Sequence, residues 1–141
     1  MNVDSLPTKK VVTLEFARAI AEAALAAAKV EGLDRLVITV ADDGGRLVYL
    51  LRQDAAEPAA IDIGIAKART AAIFMRATKH WKELLLDGKL WVLGMPNMVP
   101  VEGGLPIMVD GKTIGGLGIA GASGDLDTKI GQAGLAVYGA K

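Results

Sequence analysis

Residues 36–51, Leu-Val-Ile-Thr-Val-Ala-Asp-Asp-Gly-Gly-Arg-Leu-Val-Tyr-Leu-Leu, hold the pattern that decides the fold. Two β-rich runs, Leu36 to Ala41 and Arg46 to Leu51, flank Asp42-Asp43-Gly44-Gly45. Asp and Gly supply the positive φ values that a tight hairpin turn needs, so the two runs pair antiparallel. A second hairpin is read at Leu105 to Val109 and Thr113 to Ala120, turning through Asp110-Gly111-Lys112.

Helices fill the intervals. Thr13 is the N-cap of a helix from Leu14 to Glu31, ended by Gly32. Its Glu15, Arg18, Glu22 and Lys29 fall within roughly 60° of one another, and the rest of the circumference is apolar. The Ala-rich remainder is assigned to a subunit contact, with a buried helix in a monomer as the alternative. A second helix runs from Ala59 to Thr78, a short segment from His80 to Asp87-Gly88, and a last helix from Leu126 to Tyr138. Leu90 to Glu102, broken by Pro96, Asn97 and Pro100, is read as irregular. Helix, hairpin, helix, hairpin, helix predicts an α+β domain with helices flanking an antiparallel sheet, not a parallel doubly wound one. Residues 1–12 form a tail and residues 13–141 one domain.

Composition narrows the function. Sixteen Lys and Arg balance sixteen Asp and Glu, so no net field favours nucleic acid. The absence of cysteine excludes disulfides, thiol catalysis and Cys-ligated metal, and no metal site is assigned. No stretch is apolar and long enough to span a bilayer, and Met1 to Lys10 lacks the apolar core of a signal peptide. The expectation is a cytoplasmic protein without a membrane partner.

Within the second helix, Asp62, Arg69 and Arg76 form a solvated stripe, and Lys67 lies about 140° away among Ile63, Ala66 and Ala71. Thr70 sits one turn on. A buried ammonium needs a partner or a purpose. Lys67 is therefore either a structural ion-pair partner of a carboxylate on another element, with Asp42 and Asp54 as candidates, or a ligand-binding or catalytic group.

The runs Val40 to Val48, Arg52-Gln53-Asp54, Ala66 to Ala71, Gly103 to Ile107 with Asp110-Gly111, and Ile114 to Ala122 with Asp125 and Asp127 follow one another in a characteristic order. In that order and spacing the chain resembles the GlcG/HbpS-like family from about residue 13 onward. The resemblance extends to the C-terminal domain of PduO-type corrinoid adenosyltransferases. It implies a profilin-like α/β/α arrangement with a five-stranded antiparallel sheet, assembly into homo-oligomers, and a small-molecule ligand, with haem as the candidate cofactor. Such a match transfers fold more strongly than function.

The remaining motifs divide. Gly111-Lys112-Thr113 is not a phosphate loop, because the motif's first glycine would fall at Pro106. Gly116-Leu117-Gly118-Ile119-Ala120-Gly121 fits G-x-G-x-x-G without the parallel unit a dinucleotide site needs. Its glycines are read as a strand packed tightly on a helix or a neighbouring subunit, with close approach to a ligand as the alternative. His80, the only histidine, is a candidate axial haem ligand or general base, or a helix-end residue. Asp125 and Asp127 are assigned to the start of the last helix, where carboxylates cap free N–H groups. Gly103 and Gly104 form either an anion-binding nest or a structural turn.

Two functions follow, with a purely structural oligomer, supported by the Ala-rich helix alone, as a third possibility. The first is an accessory protein binding haem or another small molecule through Arg52, Asp54, Lys67, Thr70, Gly103 and Gly104. The second is a cofactor-free isomerase or lyase acting on a small oxo or hydroxy acid. In it Arg52 binds the carboxylate, Lys67 or His80 moves protons, and the Gly103-Gly104 amides steady an enolate-like charge.

Overall fold

A computed structural model describes residues 1–139. Helix α1 spans Leu14–Val30, strands β1 and β2 Val37–Asp42 and Leu47–Arg52, and helices α2 and α3 Ala59–Phe74 and Lys79–Leu86. Strands β3 and β4 follow at Gly104–Val109 and Lys112–Ala120, and α4 at Gly124–Leu135. Short 3₁₀ turns occupy Val3–Ser5, Leu90–Gly94 and Ala136–Tyr138. Thr13 caps α1 as expected, its hydroxyl accepting the Phe16 N–H at 3.1 Å.

The sheet has the order β2-β1-β4-β3, every neighbouring pair antiparallel. It contains four strands among the described residues, not the five implied by the resemblance. The interval between α3 and β3 adds no strand. Pro96 and Pro100 lack the N–H a ladder requires, and Leu90–Gly94 coils instead.

Helices cover both faces, so β1 alternates in direction but is buried from Val37 to Ala41. On one face Ile38, Val40, Ile107, Leu117 and Ile119 meet Ile20 and the alanines of α1, together with Ile130 of α4. Ala17, Ala21, Ala24 and Ala28 are wholly buried within the chain. That part of the Ala-rich face is thus covered from inside, while Ala19, Ala23 and Ala27 stay half-buried and Ala26 exposed. A Cβ at Gly134 of α4 would stand 3.0 Å from the Ala24 Cβ, so small residues on both helices set their close approach.

The other face carries α2. A Cβ at Gly116 would fall 2.0 Å from the Ala68 carbonyl oxygen, and one at Gly118 2.2 Å from that of Gly64. The glycine-rich strand therefore exists to let the α2 backbone rest directly on β4. Thr39, wholly buried, places its hydroxyl 2.7 Å from the Gly64 carbonyl and 3.1 Å from that of Gly118, bridging helix and strand.

Helix α2 stops at Phe74, four residues before the expected end, because Met75 adopts the left-handed region at φ 57°. That reversal frees Thr78 to clasp β3. Its N–H donates to the Gly104 carbonyl at 3.0 Å, and its hydroxyl accepts the Gly104 N–H at 2.8 Å.

Candidate functional site

Lys67 points from α2 into the interior, where its side chain is 3% exposed. Its ammonium lies 3.0 Å from Oδ2 of Asp127, itself 1% exposed, and donates to the Ile119 carbonyl at 2.8 Å. The expected partners Asp42 and Asp54 are not used. The Asp42 carboxylate instead accepts the Gly44 and Arg46 N–H groups of its own turn, and Asp54 is exposed. Asp127 also departs from its capping assignment. Four residues into α4, it turns inward, and its Oδ1 accepts the Ala122 N–H at 3.1 Å. Asp125 keeps that assignment: the Ser123 hydroxyl and the N–H groups opening α4 hold its carboxyl below the usual range.

A second pair adjoins the first. Glu102, buried, accepts from the Lys82 ammonium at 2.9 Å and from the Thr128 hydroxyl at 3.3 Å. Burial pushes the Asp127 carboxyl above its ordinary value, Lys67 draws it back, and Glu102 adds a smaller upward push. Two ammonium groups and two carboxylates thus tie α2, α3, the entry to β3 and the start of α4 together. Gly103 is required here. With φ 123° it occupies backbone space closed to other residues, and a Cβ would lie 2.7 Å from the Lys67 Nζ. The Gly104 N–H is committed to Thr78, so the pair forms a packing turn rather than an anion nest.

The other candidates do not converge on Lys67. Lys67 and Asp127 border a cleft of about 280 Å³ with Glu57, Ile63 and Val101. Arg52 and Asp54 border a different cleft of about 510 Å³, with Lys29 and Asp34, and the two share no lining residue. Arg52 is exposed and donates to the Ala56 carbonyl at 3.2 Å. Thr70 is wholly buried, donating to the Ala66 carbonyl at 2.7 Å and accepting the Val99 N–H at 3.0 Å. It anchors the loop before β3. His80 is half-buried on α3, its Nε2 2.9 Å from the Arg76 guanidinium and its ring edge-on to Trp81 at 4.9 Å.

Sequence reasoning missed Glu102, Lys82 and Thr78. Glu102 and Lys82 stand 20 residues apart in segments that read as solvated, and no local spacing marks them. The usable signal was Gly103-Gly104, which marks a crowded backbone.

An antiparallel sheet between two helical layers, with Lys67 and Asp127 paired inside it, defines an α+β domain of the kind its relatives share. Residues 12–136 match the family model described as haem degrading protein HbpS-like, and the chain belongs to the HbpS-like family. Protein GlcG of Escherichia coli K12 is 37% identical over 115 residues, covering 82% of this chain and 85% of GlcG. The crystal structure of a double mutant of Streptomyces reticuli HbpS superposes with a TM-score of 0.87 at 33% identity, covering 99% of this chain and 95% of that one. PduOC, solved as a haem complex, superposes at 0.81 with 25% identity over 91% of this chain and 95% of its own.

Haem asks for an axial donor, an apolar surface and cations for its carboxylates. His80 is the single imidazole, and only the exposed Arg76 engages its Nε2, a contact that breaks at a cost of about 1 kcal/mol. The end of α3 and the segment after it expose Leu86, Leu90, Trp91 and Leu93, with Trp91 55% and Leu93 65% accessible. The His80 imidazole, the Arg76 guanidinium and these exposed apolar side chains are the groups that would hold a haem. Among the described residues no group of three or more His, Asp or Glu could hold a metal ion, and no helix is long and apolar enough to cross a membrane.

Proposed function

We propose that this chain is an accessory protein that binds a small molecule, with haem as the first ligand to test, and that it works as a homo-oligomer. The observation that carries the reading is the likeness to PduOC, which was solved with haem. On this chain His80 is the residue to hold the iron, and Arg76, once displaced, is the cation to meet a haem carboxylate. Bound haem would supply an iron centre on a flat apolar body. The accessible Leu86, Leu90, Trp91 and Leu93 support an interface between copies on the same side of the molecule as α3.

The isomerase or lyase alternative loses its machinery. Lys67 and Asp127 neutralise each other, the Gly104 amide is occupied, and Arg52 lines another cleft. Haemin titrated into the purified protein should produce a shifted Soret band saturating at one haem per chain, and His80→Ala should abolish or move it. No shifted band in the wild type rejects haem, and an unchanged band in His80→Ala rejects His80 as the ligand.

A further inference from the structure

The N-terminal segment Thr8 to Thr13, neither helix nor strand, is strapped across both hairpin turns. Lys9 pairs with Asp43 in the first turn, and Lys10 with Asp110 in the second at 2.7 Å. Beneath the strap lie two adjoining clefts of about 380 and 560 Å³, which share Lys9, Lys10, Val109 and Ile114. Each is within the roughly 300–1,000 Å³ range of small-molecule sites. The larger one is walled by Val11, Phe16, Val109, Ile114 and Tyr138, the Phe16 and Tyr138 rings standing 4.8 Å apart.

We propose that this groove binds a small amphipathic carboxylate, its apolar body against Phe16 and Tyr138 and its anionic head among Lys9, Lys10 and Lys112. Three ammonium groups here face two carboxylates, Asp43 and Asp110, leaving a surplus positive charge. Lys9 and Lys10 are well exposed, so their present ion pairs are weak and exchange readily for a ligand carboxylate. The Tyr138 hydroxyl is buried at the apolar end of the groove, beside the Met108 main chain. Burial keeps that phenol protonated by raising its pKa. His80 borders neither cleft, so this site is separate from the haem reading.

The test titrates decanoate into the full chain and follows methyl NMR signals of Val11, Val109 and Ile114. Saturable shifts confined to these methyls are expected. Decanol, which keeps the tail and lacks the charge, should bind about tenfold or more weakly. Lys10→Glu/Lys112→Glu, at exposed positions, should weaken decanoate comparably while leaving the circular dichroism spectrum unchanged. His80→Ala should leave decanoate binding intact, so this proposal and the haem reading fail separately. Shifts that spread over the surface without saturating, equal binding of decanol, or loss of decanoate binding in His80→Ala would each overturn the groove.

Discussion

Lys67→Met separates a structural ion pair from a catalytic lysine. The substitution keeps the stem of the side chain and removes the ammonium that serves Asp127 and the Ile119 carbonyl. Asp127 would then hold one hydrogen bond, from Ala122, at a site 1% exposed. Breaking a buried pair from one side costs about 3–5 kcal/mol, because the remaining charge keeps its desolvation penalty. A domain of this size stands on about 5–15 kcal/mol, so the loss is a large share, about 10–15 °C in Tm. Urea unfolding followed by tryptophan fluorescence measures it, with Trp81 buried against Phe74 as the reporter. Two further outcomes belong to the same reasoning. Lys67→Met/Asp127→Asn keeps an acceptor for the Ala122 N–H without a lone charge, and should recover to within about 1–2 kcal/mol of wild type. The deficit of the single variant should also shrink on acidification, by up to about 1.4 kcal/mol per pH unit as Asp127 takes up a proton. A single variant within about 1 kcal/mol of wild type, or a double variant as unstable as the single, would refute the strut and return Lys67 to the cleft as a functional group.

Other perturbations probe the remaining joints. Gly116→Ala and Gly118→Ala should each cost about 3 kcal/mol or more, since the new methyl meets backbone carbonyls of α2. Gly94→Ala, with nothing within 4 Å, is the matched control, and equal thermal melts for all three would refute direct helix-on-strand packing. Asp127 titrates above the ordinary carboxylate range, so the folded chain holds its proton at pH values where the unfolded chain has released it. The stability of wild type relative to Asp127→Asn should therefore decline as pH rises from about 4 through that raised pKa, then level off. A difference that instead grows with pH in denaturation series would contradict the sign. Trp91→Glu should raise the dissociation constant of any oligomer about tenfold or more. Light scattering on a sizing column reads it, and an unchanged mass would move the interface elsewhere.

The helices and hairpins were legible because each is written locally. Thr13 announces α1, and Asp42 to Gly45 close the first turn with side-chain and main-chain hydrogen bonds inside the turn itself. The abnormal position of Lys67 was legible for the same reason, since a helical wheel needs only its neighbours. Its partner was not. Asp127 lies 60 residues away, and among many carboxylates the choice is made by how α4 docks on β4. Arg52 illustrates the converse error. It ends β2 in a characteristic run, yet β2 is the edge strand farthest from β3, so it does not share a site with Gly103. The fifth strand was an expectation of resemblance alone, and the apolar run Leu90-Trp91-Val92-Leu93 before β3 coils into a 3₁₀ turn.

The interior achieves its closeness by subtraction. Glycines on β4 and alanines on α1 and α2 remove side chains so that backbones meet, and the polar groups left inside bridge elements in pairs. Such a core gives a ligand little to enter, because opening it would separate mutually satisfied charges. What stays adaptable lies outside it. On one side is the exposed apolar segment after α3, beside a histidine held only by an arginine. On the other is the strap held by exposed lysines over an aromatic groove. Both can change partners without disturbing the sheet. Substitutions at Lys67 should therefore register first as lost stability, and substitutions at His80, Lys10 or Trp91 first as lost binding.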